Sequence, residues 1–344
     1  MRIECVAFPT PAIGSGKLAV EQDNAFVPFR SLITGNTVDC GTFAGLAISA
    51  TITLTEAKNC LTLVGIFLLT GRILTFTYGT AMTRYDSLDH HRFAAQVRTD
   101  GIAILPGHFS AELIAQWAAA FAPLLTAQLA GEPDQNRGAH RYYLTLPFCG
   151  VFADPAVFAD PDIVAIVNLL VGPQPVMCQL AADTPLRGSD YQLLHRDSDA
   201  LFPEAALATP PFQLAVNFPL CDVTAENGPF ETTRGTQHLD RARALALIES
   251  GDLALEPILM KMGDVMIRDV RAIHRGTPNR SDTARPMVVI GYSRSWLMRP
   301  EVHIDVPRAV LEALAPQARE LLRLNPVCDG AAAPVAEHYR SFMF

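Results

Sequence analysis

The 344-residue chain has no run of lysine and arginine, no C-x-x-C pair and no apolar stretch as long as a membrane helix. Beyond Met82 it also has no internal repeat and no low-complexity linker. Each absence removes a class of protein. Phosphate binding needs a clustered basic face, and a net charge of -8 without such a face argues against a nucleic-acid partner. The seven cysteines (Cys5, Cys40, Cys60, Cys149, Cys178, Cys221 and Cys328) are odd in number and widely spaced. That pattern fits neither a zinc ribbon nor a disulfide framework, and the expectation is reduced thiols in a cytoplasmic protein. Residues 1–11 lack the basic and apolar regions of a signal peptide. The most apolar stretch, 60–71, falls short of the about 20 residues that a span needs, so no membrane is expected.

At 49% hydrophobic and 18% charged residues, the chain can bury a sizeable core. Its character changes near Met82. Residues 1–81 are rich in Thr, Ala, Leu and Gly with few charges, and a segment such as 46–54 (LAISATITL) reads as a strand. The expected organisation is an N-terminal extension over 1–81 and a catalytic domain over 82–344, with Met82 as an alternative natural start. From there the patterning is clear. Phe93 and Val97 share a helical face, and Asp100-Gly101 turns the chain into the apolar run 102–105. Ser110 caps a helix carrying Leu113, Ile114, Trp117 and Phe121 on one stripe, which Pro123 should kink or end. Residues 162–170 form another short helix, closed by Gly172-Pro173. Runs 176–180, 212–220, 263–273 and 287–296 are strand-like, and 307–324 returns to helix. Helices first and strands later indicate an α+β fold.

Two histidines and one carboxylate present a three-ligand face to a non-haem iron and leave positions open for reaction. In a strand, residues i and i+2 point the same way, so H-x-D aims two ligands at one point. With 9 His and 35 acidic residues in 344, roughly one H-x-D is expected by chance, and there are three. His303/Asp305 is followed by only one further histidine, His338, and His238/Asp240 opens a helical run. His195/Asp197 ends the extended run 191–194 and has the best geometry. His274, at the end of the run 264–273, is the candidate third ligand. Arg285 heads the next strand, eleven residues on, where an antiparallel return would bring it back to the pocket. A buried arginine there suits the far carboxylate of 2-oxoglutarate. Of its rivals, Arg275 should point away from the site, and Arg280 sits in a solvated turn.

These residues carry a likeness. The chain from about 88 to 325 resembles the phytanoyl-CoA dioxygenase family of Fe(II)/2-oxoglutarate oxygenases. The matching blocks are His195-Arg196-Asp197; Glu226-Asn227-Gly228-Pro229 leading to Arg234-Gly235-Thr236-Gln237-His238; and Gly263-Asp264-Val265 leading to His274-Arg275-Gly276 and Arg285. The resemblance implies a double-stranded β-helix (jelly roll) with flanking helices, Fe(II) on His195, Asp197 and His274, and 2-oxoglutarate and O2 as cosubstrates. By position it places Arg285, Gln192, Met177 and Asn217 beside 2-oxoglutarate, with core packing as the alternative for Met177 and a substrate contact for Asn217. His238 is expected to be structural. Asp197 argues against a halogenase, because those relatives carry a small residue in place of the carboxylate.

The implied reaction is hydroxylation of a small organic metabolite with release of succinate and CO2. Candidate substrate contacts are Arg141, Tyr142, Tyr143, Gln179 and Tyr191, a mixture of aromatic and polar groups suited to a small molecule. Nothing resembles a basic patch for the phosphates of CoA. The alternatives are a cupin-type metal enzyme that does not use 2-oxoglutarate, against which Arg285 argues, and a non-catalytic jelly-roll binding protein, against which the intact triad argues.

Overall fold

The computed structural model divides the chain into two units, Met1–Thr83 and Arg84–Phe344. It describes residues 83–131, 137–202, 204, 209–297 and 302–330, together with the backbone of strands within 2–79. The first unit contains an antiparallel three-stranded sheet (Arg2–Cys5, Lys17–Gln22, Ala25–Arg30). It also contains an antiparallel five-stranded meander whose longest strand is Cys60–Leu69. The strand read at 46–54 is found at Ala50–Ala57.

The second unit opens with helix α1 (Ser87–Asp100), capped by the Asp86 carboxylate on the Asp89 amide. It ends at Gly101, whose φ of 83° suits a left-handed C-cap. Strand β1 (Ile102–Leu105) follows, then α2 (Ala111–Ala130). Of the two outcomes expected at Pro123, an end to α2 does not occur: the residue lies on the exposed side, and the helix continues through it. By length and composition α2 could cross a membrane, but it docks Ile114, Trp117 and Phe121 into the core. Next come β2 (Arg141–Thr145), α3 (Pro161–Val171), β3 (Val176–Pro185), β4 (Gln213–Pro219), β5 (Phe230–Thr232), α4 (Arg241–Glu249) and β6 (Glu256–Ile258). β7 (Val265–Asp269), β8 (His274–Gly276) and β9 (Met287–Ser293) complete the barrel. The single C-terminal helix read over 307–324 is two helices, Arg308–Ala313 and Pro316–Leu322, because Pro316 starts a new helix instead of continuing the old one.

A six-stranded sheet, ordered β2-β3-β9-β4-β7-β1, faces a three-stranded sheet ordered β6-β5-β8. Every pairing within both is antiparallel. This is a double-stranded β-helix with helices on one side. Side chains alternate along β4, β7 and β9 of the large sheet. Leu214, Val216, Phe218, Val265, Ile267, Val288, Ile290 and Tyr292 join the core under the helices, where Trp117 meets Phe152 and Phe218 edge-on at 5.1 Å. Gln213, Ala215, Asn217, Met266, Arg268, Met287 and Val289 face the opposite way, into a cavity.

Candidate active site

The run read at 263–273 is not one strand. β7 ends at Asp269, the chain turns, and His274 opens β8 in the other sheet. His195 likewise lies on an extended segment that joins β8 through one bridge instead of a full strand. That bridge fixes the site. The His195 amide donates to the His274 carbonyl and the His274 amide donates to the His195 carbonyl, each at 3.0 Å. Two residues on, the Asp197 amide donates to the Val270 carbonyl at 3.0 Å. The two rings therefore stand side by side, 4.3 Å between centroids, and the Phe230 ring stacks on His274 at 4.9 Å.

Each imidazole places Nδ1 against a backbone carbonyl, Leu193 at 2.7 Å for His195 and Ala272 at 3.0 Å for His274. An Nδ1–H donated to that carbonyl leaves each Nε2 lone pair facing the cavity. Burial, reinforced by the neighbouring His274, pushes the His195 pKa down to about 3, so this ring is neutral at ordinary pH. Asp197 Oδ1 lies 3.5 Å from His274 Nε2 and 3.8 Å from His195 Nε2. Its other oxygen is held by Arg268 Nη2 at 2.5 Å. Burial alone would raise the Asp197 pKa, but the Arg268 guanidinium and His274 overcome it and hold the carboxyl well below the usual range. Two imidazoles and one carboxylate, with ligand atoms all within 4.8 Å of one another, fit a divalent iron.

The motif residues around the triad hold it in place. Arg196 points away from the metal side and donates to the carbonyls of Thr236 (2.8 Å) and Leu239 (2.6 Å). Asn227 bonds the Thr224 amide and the Asp222 carbonyl, setting a turn that needs Gly228 at φ 83°. A Cβ on Gly228 would lie 2.9 Å from the Thr277 carbonyl oxygen. The Gly228 carbonyl accepts from Arg285 Nε (3.0 Å) and Nη2 (2.6 Å). Arg285 is buried, and no carboxylate of the described residues is within ion-pair distance of it. The one nearby, Asp183, is bound by Arg141 at 2.8 Å. Burial pushes the Arg285 pKa down to about 10, so it stays charged at neutral pH. A buried cation lining the same cavity as the triad fits a dicarboxylate cosubstrate. The sequence-based route to Arg285 was wrong in one respect: its strand, β9, pairs with β3 and β4 and not with the His274 strand.

Residues 97–287, more than half of the chain, match the profile of the phytanoyl-CoA dioxygenase (PhyH) family. The chain belongs to the phytanoyl-CoA dioxygenase family. Dioxygenase olcK of Penicillium canescens is 30% identical over 151 residues, 43% of this chain and 48% of that protein. Dioxygenase af480 of Aspergillus fumigatus is 23% identical over 190 residues, 54% of this chain and 60% of that protein. The chain thus spans about half to three fifths of the length of these relatives. Among solved structures, the non-heme alpha ketoglutarate dependent epimerase SnoN from nogalamycin biosynthesis is 20% identical. It has a TM-score of 0.48 and covers 61% of this chain and 84% of its own.

For this member of the phytanoyl-CoA dioxygenase family, the cavity gathers most of the residues read from sequence but not all. His195, Asp197, His274, Arg285, Gln192, Asn217, Tyr143 and Gln179 line it, and it has a volume of about 800 Å³ open to solvent. Met177 is outside the lining, fully buried in the core opposite Tyr292. Tyr142 also faces the core, because it alternates with Tyr143 on β2. Tyr191 is 51% exposed and stacks under the Arg275 guanidinium, 4.3 Å from its ring centroid. Arg141 lies behind the wall, on Asp183 and the Thr277 carbonyl. Arg275 points away onto Glu231 at 2.8 Å, and Arg280 is exposed. His238 Nε2 meets the Arg98 carbonyl at 2.5 Å. Sequence reasoning missed Arg268, Asp183 and Gln213. Arg268 had a signal: a charge in the apolar strand VMIRD, in phase with Met266 and out of phase with Val265 and Ile267.

Proposed function

We propose that the protein is an Fe(II)- and 2-oxoglutarate-dependent dioxygenase that hydroxylates a small organic molecule. One observation carries the reading: a metal-competent His195/Asp197/His274 triad shares a cavity with a buried, carboxylate-free Arg285. Iron on the triad would couple reduction of O2 to oxidative decarboxylation of 2-oxoglutarate, giving succinate, CO2 and an oxidant for a substrate C–H bond. The remaining tasks belong to the chain. Arg285 anchors the far carboxylate of the cosubstrate. Arg268 occupies one oxygen of Asp197 and leaves Oδ1 for the metal. Asn217 accepts from Arg268 Nε at 3.2 Å and donates to the Val288 carbonyl at 3.2 Å, so its role is to position Arg268. Gln192 accepts from the Gly276 amide at 2.9 Å and braces the strand that starts at His274. Val270, Met287 and Val289 keep the cavity wall dry.

A small substrate is favoured over an acyl-CoA, because the sequence has no run of lysine and arginine to take up CoA phosphates. The free thiols of Cys149, Cys221 and Cys328 support a reducing, cytoplasmic setting. The test is anaerobic addition of Fe(II) and 2-oxoglutarate to the folded protein, which should give a visible charge-transfer band and, with O2, succinate. Binding of iron without any band or succinate would favour a cupin-type metal enzyme instead.

A further inference from the structure

We infer that Gln213 heads a substrate subsite that takes a neutral group able both to donate and to accept a hydrogen bond, such as a hydroxyl, lactam or amide. This rests on the oxygenase reading of the cavity and adds a substrate class to it. The starting point is an unfilled carboxamide. Gln213 lines the cavity yet is only 2% exposed. Its backbone pairs with Ser293, but its buried Oε1 has no hydrogen-bond partner among the described residues, and no bond from its Nε2 is found among them. Asn217, four residues along the same face, uses both ends of its amide. A buried amide left unpaired is costly, so Gln213 is a group awaiting a partner.

Its position says which partner. Pro219 pairs with Met287 at one end of the β4–β9 ladder and Gln213 pairs with Ser293 at the other. Arg285 lies just beyond the first end. The triad carboxylate belongs to the second half: Asp197 is bonded to Val270, which follows Asp269, the partner of Leu214. A dicarboxylate reaching from Arg285 to the metal therefore leaves the Gln213 end free for substrate. The walls there are Ala215, Val270 and Val289, with Gln179 donating to the Tyr143 hydroxyl beside them. Gly291, opposite Ala215, keeps that floor low, since a Cβ there would meet Gln179 Cβ at 2.8 Å. The subsite thus offers an apolar wall and one neutral donor–acceptor head, in a cavity whose lining also includes Arg137, its guanidinium 4.5 Å above the Tyr143 ring. A carboxamide can pair both groups of a cis-amide, or serve a hydroxyl as donor and acceptor at once.

The test uses the metal-loaded full chain and isothermal calorimetry, with and without 2-oxoglutarate. The probes are 2-piperidone, which donates and accepts side by side, N-methyl-2-piperidone, which only accepts, and cyclohexanecarboxylate. The variants are Gln213→Met and Gln213→Leu. We expect 2-piperidone to bind the wild type about tenfold or more tightly than its N-methyl analogue, the loss of a paired hydrogen bond. Both variants should erase that difference while keeping their 2-oxoglutarate affinity within about twofold. Equal binding of the two lactams, no lactam binding, equal binding to the variants, or tighter Gln213-independent binding of the carboxylate would each overturn the inference. A variant that loses 2-oxoglutarate affinity would also overturn it, by assigning Gln213 to the cosubstrate. Failure of the wild type to bind 2-oxoglutarate would instead strike the oxygenase reading, which the lactam arms without 2-oxoglutarate keep separate.

Discussion

Replacing Arg285 by methionine should weaken 2-oxoglutarate binding about 100-fold and at the same time stabilise the ligand-free protein. Both effects follow from a cation buried without an anion. Arg285 is 2% exposed, and its hydrogen bonds go to one backbone carbonyl, that of Gly228. Burial moves its pKa from 12.5 to about 10, a penalty on the charged form of about 3 kcal/mol at roughly 1.4 kcal/mol per pH unit. A cosubstrate carboxylate returns about that amount, and at about 1.4 kcal/mol per tenfold this is roughly 100-fold in affinity. A bidentate charge-assisted pair, at about 1.5–3 kcal/mol per bond, reaches the same figure at its lower end. In the apo protein, methionine fills a similar volume without the charge and loses only the bonds to Gly228, so the melting temperature should rise by a few degrees, about 2–4 °C per kcal/mol in a domain of this size. The sign with pH is fixed. A base with its folded pKa depressed is penalised wherever it is protonated, and pH 5–9 lies below both values. The stability difference should therefore be flat across that window. Calorimetric titration of 2-oxoglutarate into the Fe(II) protein, with iron affinity as the control, measures the first effect, and apo melting curves measure the second. A cosubstrate affinity within about threefold of wild type, or a less stable apo variant, would refute the reasoning.

Arg268→Leu removes the group that holds the Asp197 carboxyl low, so burial acts with less opposition and the pKa rises. Co(II) uptake, which needs the carboxylate, should then fail on acidification at a higher pH than in wild type, and identical pH midpoints would contradict this. Gly276→Ala places a Cβ 2.5 Å from Arg141 Nη1, and that guanidinium is pinned by Asp183 and the Thr277 carbonyl. Thermal unfolding should show a loss of about 1–3 kcal/mol, and an unchanged melting temperature would show that Arg141 can move. A chain starting at Met82 should fold and bind one iron as the full chain does, given that the contacts divide between Thr83 and Arg84. Loss of cooperative unfolding in that shorter chain would assign the first unit a structural role.

The barrel was legible where local chemistry repeats. The strand-like runs that hold β4, β7 and β9, the Ser110 cap and the Asp100-Gly101 turn all declare themselves in one dimension. The triad was legible because H-x-D is a local pattern and the family blocks come in order. What was not legible depends on pairing. Tyr142 and Tyr143 are chemically alike, and only the register of β2 against β3 decides that Tyr143 meets the cavity and Tyr142 the core. Met177 fails for a similar reason: the bulge between Met177 and Gln179 changes which residues face inward, and no residue type announces it. Arg285 was found for the right purpose on the wrong strand partner, since sequence distance from His274 does not reveal that β8 and β9 belong to different sheets.

That separation explains why the site needs two sheets at all. The candidate metal ligands His195 and His274 come from the small-sheet side, through their reciprocal bonds. The Asp197 brace Arg268 and the open amide Gln213 come from the large sheet, and the proposed anchor Arg285 lies just before its strand β9. A one-residue slip of the 192–197 segment against β8 would turn His195 outward and Arg196 inward, because side chains alternate along an extended chain. The register is held from both sides of the ligand: Gln192 bonds Gly276 through backbone and side chain, and Asp197 bonds Val270. Arg196, on the reverse face, is tied to the Thr236 and Leu239 carbonyls and would have to abandon both to move. The middle residue of H-x-D is thus a register lock, and the geometry of the triad is set by backbone hydrogen bonds before any metal arrives.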